Sequence, residues 1–205
     1  WVPAWLRKRL LLFLVWCVHG KPEKLGLPPA TERVHATSSG TVVNDIAYRR
    51  IEVKHGIERI EGQTIYFTDG TSDEFDVLVA ATGYLIDLPF LSEDIVPRAN
   101  NHIRLWKRII PPEWPGLYFI GMLNVVTHSN PLAYEYQIRW LREFILGKAV
   151  APSIDEMNKD NDAKDRYIAK EFKQTIRNTI EEECVRYFPE LDRALKAARR
   201  RANRR

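Results

Sequence analysis

A chain of 205 residues, 45% of them apolar and 28% charged, has the make-up of an ordinary soluble globular protein with one sizeable core or two small ones. Its net charge of +4 belongs to the tail: residues 186–205 hold eight Lys or Arg against two Asp or Glu, which leaves the rest at −2 and excludes a body-wide basic groove for nucleic acid. Cys17 and Cys184 lie far apart without ligand spacing, so neither a disulfide framework nor a metal site is indicated, and a reducing, cytoplasmic setting fits best.

The chain begins at Trp1 with neither a Met nor an evident leader, as expected of a fragment or a processed chain. After Arg7-Lys8-Arg9, residues 10–18 form an apolar run. A bilayer span needs about 20 apolar residues, so no transmembrane segment is expected here. The run reads as a helix packed in a core; an interfacial helix is the alternative and leaves peripheral membrane contact open. Gly26-Leu27-Pro28-Pro29-Ala30 reads as an extended, proline-stiffened loop, and Ser38-Ser39-Gly40 marks a break. Residues 42–46 read as a short helix. Residues 51–81 read as successive strands at 51–54, 57–60 and 64–68, the last closed by the Asp69-Gly70 turn.

Residues 77–81 are uninterruptedly apolar between Asp76 and Thr82-Gly83, which predicts a strand over 75–81 buried on both faces, the habit of a parallel sheet. Burying Val77, Leu78 and Val79 would contribute roughly 1.5–3 kcal/mol each. Thr82 and Gly83 are small, so the backbone there can approach a ligand, and ligands bind at the carboxyl ends of strands in open α/β sheets. A core strand closed by an ordinary glycine turn is the alternative.

Pro97, Asn100, Asn101, Pro111, Pro112 and Pro115 then break the chain, with a short strand at 103–106. Residues 117–120 predict a buried strand ended by Gly121. Ser129 or Asn130 at the N-cap and Pro131 in the first turn open a helix, in which Leu132, Tyr136, Trp140, Leu141 and Phe144 recur until Gly147. Strand, loop and helix N-terminus gather about +0.5 of partial charge and free N–H groups, a spot suited to an anionic or electron-rich ligand atom. A plain βα unit without a ligand is the alternative. His128 reads as a surface or capping residue rather than an acid or base. Glu135, Gln137 and Arg139 read as helix residues that fix the fold.

Beyond the Ala151-Pro152 linker, Ser153-Ile154-Asp155-Glu156 matches a capping box. Residues 165–188 predict one long amphipathic helix with Ile168, Phe172, Ile176, Ile180 and Cys184 on a stripe, and Pro189 is expected to start a last short helix. The stripe reads as core or domain cover, with a partner groove as the alternative. The basic tail reads as a solvated helix end, where positive charge suits the C-terminus.

Several of these landmarks share the order of one family. Asp69-Gly70-Thr71, the run from Asp76 to Tyr84, Leu88-Pro89-Phe90-Leu91, Gly116-Leu117-Tyr118-Phe119-Ile120-Gly121 and Glu135-Tyr136-Gln137-Ile138-Arg139-Trp140 resemble flavin-containing monooxygenases, as do Gly26-Leu27-Pro28 and Val53-Lys54 upstream. The likeness covers nearly all of residues 1–148 and fades after them. At His35-Ala36-Thr37-Ser38 the family's usual proline is missing. The resemblance implies an α/β fold with parts of two incomplete Rossmann-like dinucleotide-binding domains and a helical C-terminal extension. Residues 1–80 would end an NADPH-binding domain, 81–150 would form the C-terminal part of an FAD-binding domain, and 151–205 the extension. It implies FAD and NADPH as cofactors. In that family the strand–loop–helix lies against the isoalloxazine, whose reduced form carries negative charge. By resemblance Gly121, Met122, Leu123, Asn124, Ser129 and Asn130 bind the cofactor, Gln137 approaches it, and Thr82 and Gly83 join the FAD domain as further cofactor-binding residues.

None of the ten glycines falls in a G-x-G-x-x-G spacing, so neither phosphate loop of the family lies in this chain. The likeness is to the C-terminal portion of such an enzyme, and this chain alone is expected to be inactive. The whole enzyme would reduce FAD with NADPH, form a flavin hydroperoxide with O2 and pass one oxygen atom to a small organic substrate, at nitrogen or sulfur or by Baeyer–Villiger insertion; no catalytic residue is assigned. Two other readings stand beside it. One is a catalytically inactive remnant serving as a binding or interaction module. The other is an FAD-linked disulfide-reductase-like oxidoreductase, which would want a CxxC that is not visible here.

Overall fold

The computed structural model describes Leu6, Arg9, Leu10, Phe13, Leu14 and Trp16, together with residues 22–27, 41–125, 129–172, 175, 176 and 178–204. They divide into two units between Thr82 and Gly83. In the first, Gly62 at φ +59° lets a two-residue hairpin close between β1 (Ile57–Glu61) and β2 (Thr64–Phe67). The Asp69-Gly70 turn leads from β2 to β3 (Ser72–Glu74), and Asp69 Oδ1 steadies it by accepting from Thr71 N–H at 3.1 Å and Thr71 Oγ1 at 2.7 Å. The three strands are antiparallel in the order β1-β2-β3, with Ile65 opposite Ile60 on one side and Asp73 on the other. Ile65 and Phe67 of β2 are buried, whereas β1 and β3 are exposed along their length. Helix α1 (Val42–Ala47) forms where the short helix was expected and buries none of its residues.

Three expectations are corrected here. Residues 51–54 carry no strand. Residues 75–81 are not a buried strand either: Phe75 N–H still donates to Gln63 O at 2.9 Å, but beyond it no described strand pairs with the run. Val77, Leu78 and Val79 are 75, 56 and 78% exposed. Apolar side chains favour burial, but a strand also needs a neighbour to take its N–H and C=O groups, and none among the described residues does. Leu10, Phe13, Leu14 and Trp16 are exposed rather than packed in a core. The rest of the N-terminal run, Cys17 included, lies outside the described residues, as do Pro28-Pro29-Ala30, His35-Ala36-Thr37-Ser38 and Ser39-Gly40.

The second unit is built on α2 (Asn130–Ile145), α3 (Ile154–Glu171) and α4 (Cys184–Ala202), with α2 and α4 in direct contact. Trp106, Ile109, Trp140, Tyr187 and Leu191 form the centre of their shared core, to which α3 adds Met157. Trp140 is anchored there by donating Nε1–H to Leu191 O at 2.9 Å. A second cluster gathers Leu88, Val96, Ile103, Leu105 and Phe119. The caps form as the sequence predicts. Ser129 Oγ accepts from Leu132 N–H at 3.4 Å with Pro131 in the first turn, and Ser153 and Glu156 close a reciprocal capping box.

The long helix over 165–188 does not form. Helix α3 ends at Glu171, Phe172 is extended, and Glu181–Glu182 makes β5, a two-residue strand parallel to β4 (Asn124–Val125). Helical spacing of Ile168, Phe172, Ile176, Ile180 and Cys184 is overridden because β4 offers Glu181 and Glu182 backbone partners, and buried cations hold Glu182. Pro189 does not start the last helix but lies inside α4, five residues past its beginning. Its ring nitrogen carries no hydrogen to donate to the Val185 carbonyl one turn back, and the helix continues past it. Residues 117–120 are not a strand: a single cross-link, Phe119 N–H to Ile109 O at 2.8 Å, replaces a ladder. Residues 103–106 form no strand, only a bridge of Trp106 with Ile110.

Candidate functional site

Gly121 sits at φ +87°, where a Cβ would meet the Tyr134 ring at 3.4 Å, so glycine suits both the conformation and the space. The loop it opens is clamped from three sides. Gly121 N–H donates to Gln137 Oε1 at 2.9 Å, Asn124 N–H to Ile180 O at 2.8 Å, and Val125 N–H to Asn130 Oδ1 at 3.0 Å. Asn124 Nδ2 donates to Glu181 Oε1 at 3.1 Å. Of the residues expected at a cofactor, Gly121, Asn124, Ser129 and Asn130 thus use these groups to shape the loop and cap α2. Between the clamps, the backbone N–H groups of Met122 and Leu123 have no partner among the described residues, and Leu123 is buried. Two adjacent backbone donors of this kind suit an acceptor atom from a ligand.

Thr82 and Gly83 are exposed, and no hydrogen bond joins them to this loop among the described residues. His128 lies outside the described residues, as do Val126 and Thr127.

Gln137, fully buried in α2, is itself held. Its Nε2 donates to Tyr187 Oη at 2.7 Å and to Arg108 O at 3.5 Å, while Tyr187 Oη donates to Lys107 O at 2.7 Å. Lys107 and Arg108 are consecutive left-handed residues at φ 55° and 60°, a conformation that costs about 1–2 kcal/mol for each non-glycine residue. What offsets that strain is the set of partners the turn reaches. Arg108 Nε donates to Glu182 Oε1 at 3.0 Å, and Lys164 Nζ contacts Glu182 Oε2 at 2.9 Å and Glu190 Oε2 at 2.8 Å. Arg108 and Glu182 are 4% and 1% exposed, so the pair works at low local dielectric.

The electrostatics follow this packing. Burial works to raise the Glu190 carboxyl, but the Lys164 ammonium and Arg186 guanidinium hold it below the usual carboxylate range. Burial pushes the Tyr187 phenol up, which keeps it a hydrogen-bond donor. Burial, then the Glu182 carboxylate, raises the Cys184 thiol and leaves it a poor nucleophile. Sequence reasoning missed Arg108, Tyr187 and Glu182 as supports of the loop. The only local signal was the run Glu181-Glu182-Glu183, too acidic for a simple buried helix stripe. Among the described residues no group of three or more His, Cys, Asp or Glu could hold a metal ion, and no helix is long and apolar enough to cross a membrane.

The family described as FMO-like, flavin-binding monooxygenase-like, matches residues 21–200. Flavin-containing monooxygenase 5 of Homo sapiens is 31% identical over 174 residues, 82% of this chain and 32% of that protein. Trimethylamine monooxygenase of Roseovarius sp. (strain 217) is 28% identical over 124 residues, 55% of this chain and 27% of that protein. Among solved structures, S-allyl-L-cysteine S-oxygenase from Allium sativum aligns with a TM-score of 0.57 and 25% identity, covering 81% of this chain and 37% of that one. The chain spans about a third of the length of the curated relatives it matches. With these likenesses the mixed strands and helices make an α/β fold that holds parts of dinucleotide-binding domains.

Proposed function

We propose, for a chain that belongs to the flavin-binding monooxygenase-like family, that it forms the C-terminal part of an FAD- and NADPH-dependent monooxygenase that inserts one oxygen atom from O2 into a small organic substrate. The observation that carries this reading is the clamped loop after Gly121, where the Met122 and Leu123 N–H groups lack a partner among the described residues. The residues fit the isoalloxazine: two adjacent donors beside a helix N-terminus suit its electron-rich edge. Met122 and Leu123 would hold it, Gly121 would give it room, and Asn124, Ser129 and Asn130 would keep the loop in place. Thr82 and Gly83 enter the proposal by resemblance, and so does the assignment of residues 1–80 to an NADPH-binding domain, 81–150 to an FAD-binding domain and 151–205 to a helical extension. When bound, the flavin supplies the activation of O2, and the protein's share is orientation and exclusion of water. Nitrogen or sulfur oxygenation and Baeyer–Villiger insertion are both within this proposal, as is a cytoplasmic setting.

The test is made on the longer protein that contains this chain. It is expected to purify with flavin bound, to oxidise NADPH and to place an atom of isotopically labelled O2 in a product. A protein that folds yet never carries flavin would sink the reading.

A second reading, an interaction module without catalysis, is favoured by the exposure of the apolar Val77, Leu78 and Val79. Cooperative unfolding of the 205-residue chain as a soluble, flavin-free species is its expected signature, and aggregation counts against it.

A further inference from the structure

The turn that carries Arg108, helix α3, strand β5 and helix α4 line a partly open cavity of about 10 Å3. Two donors in its lining are left without acceptors: Arg108 Nη2 and Asn161 Nδ2 are buried and have no hydrogen-bond partner among the described residues. Their residues are 4% and 7% exposed, so bulk water does not reach them. A single water needs roughly 10–15 Å3 of such space and two to four polar partners, and this cavity meets both conditions.

Charge decides between a water and an anion. The lining sets Lys107, Arg108 and Lys164 against Asp160, Glu182 and Glu190, so its net charge is zero. Each cation already has a carboxylate: Lys107 meets Asp160 at 2.5 Å, Arg108 meets Glu182 at 3.0 Å, and Lys164 meets Glu182 at 2.9 Å and Glu190 at 2.8 Å. An added anion would be buried without a counter-charge, which is costly. A neutral molecule that accepts two hydrogen bonds and donates two meets the unmet donors and leaves the ion pairs intact.

We propose that this cavity is a binding site for one water molecule, which accepts from Arg108 Nη2 and Asn161 Nδ2 and so joins α3 to the Arg108–Glu182 pair. The water completes the hydrogen bonding of a buried arginine whose backbone carbonyl accepts from Gln137. It therefore belongs to the support beneath the Gly121 loop, whatever ligand that loop takes.

A crystal structure of the longer protein that contains this chain, grown with bromide present, tests this directly. The expected result is one peak within hydrogen-bond reach of both nitrogens and without anomalous signal. An empty cavity, a direct Arg108–Asn161 contact, or an anomalous bromide peak overturns the proposal. In solution, water-oxygen magnetic relaxation dispersion should count one more long-lived water in the native chain than in Asn161→Leu, which removes one donor and fills the space. An unchanged count in a folded Asn161→Leu overturns it too, and if that variant does not fold, the native crystal decides.

Discussion

Gln137 Nε2 donates to Tyr187 Oη at 2.7 Å, and neither side chain reaches solvent. The pair joins α2 to α4 at the point where the other end of Gln137 holds the Gly121 N–H. Gln137→Leu keeps most of the volume but strands Gly121 N–H and deprives the phenol of its amide donor. The expected loss is about 1–3 kcal/mol in urea unfolding. Tyr187→Phe should cost a similar amount, because Lys107 O loses its donor. In the double mutant the losses should fall short of additivity by at least about 0.5 kcal/mol, since both side chains belong to one network. Full additivity would mean that the two residues stabilise the fold separately.

Arg108→Met tests the buried ion cluster. Glu182, 1% exposed, would keep only the Lys164 ammonium as a cationic partner. Breaking a buried pair from one side costs about 3–5 kcal/mol, and a midpoint shift of that size is expected. A shift below about 1 kcal/mol would place the pair among ordinary surface contacts.

Acid should unfold the second unit through Glu190 and Asp165. Despite burial, Lys164 and Arg186 hold Glu190 below its ordinary 4.5, and His102 and Arg104 hold Asp165 below 3.8. A depressed folded value means that each carboxylate contributes stability above its unfolded value, and the contribution is lost as pH falls through the folded one. The urea midpoint is therefore expected to stay level above pH 4.5 and to drop below it. In Lys164→Met the folded Glu190 value moves back toward the ordinary one, so the drop should become smaller while its onset stays near pH 4.5. An undiminished drop in Lys164→Met would remove Lys164 as the cause.

Ser153 closes a two-way cap with Glu156, accepting its N–H at 3.3 Å and donating its own to the Glu156 carboxylate at 3.0 Å. Ser153→Ala should cost about 0.5–2 kcal/mol, and Ser153→Asn considerably less. Equal losses for both variants would argue against the cap as the origin.

How much of this was legible in the residues depends on how far apart the interacting groups are. The Asp69-Gly70 turn, the Ser129-Pro131 helix start and the Ser153–Glu156 box could all be read directly, because each is closed by groups within about four residues. The place of the loop after Gly121 was equally legible, since Gly121 and the helix start at Ser129 and Pro131 flank it in sequence. Its support was not. Gln137 meets Arg108 across 29 residues, Tyr187 across 50, and Arg108 meets Glu182 across 74, and no local pattern marks any of these pairs.

By itself, then, the sequence determined the family, the caps, the turns and where the loop after Gly121 begins, all of them properties of neighbouring residues. Tertiary structure alone decided the fate of two runs whose local patterns pointed elsewhere. Residues 75–81 are apolar enough for a central strand yet stand exposed, because no described strand takes their backbone groups. Residues 165–188 repeat at helical spacing yet break, because pairing of Glu181–Glu182 with Asn124–Val125 and the ion pairs of Glu182 outweigh helix propensity worth only tenths of a kcal/mol per residue.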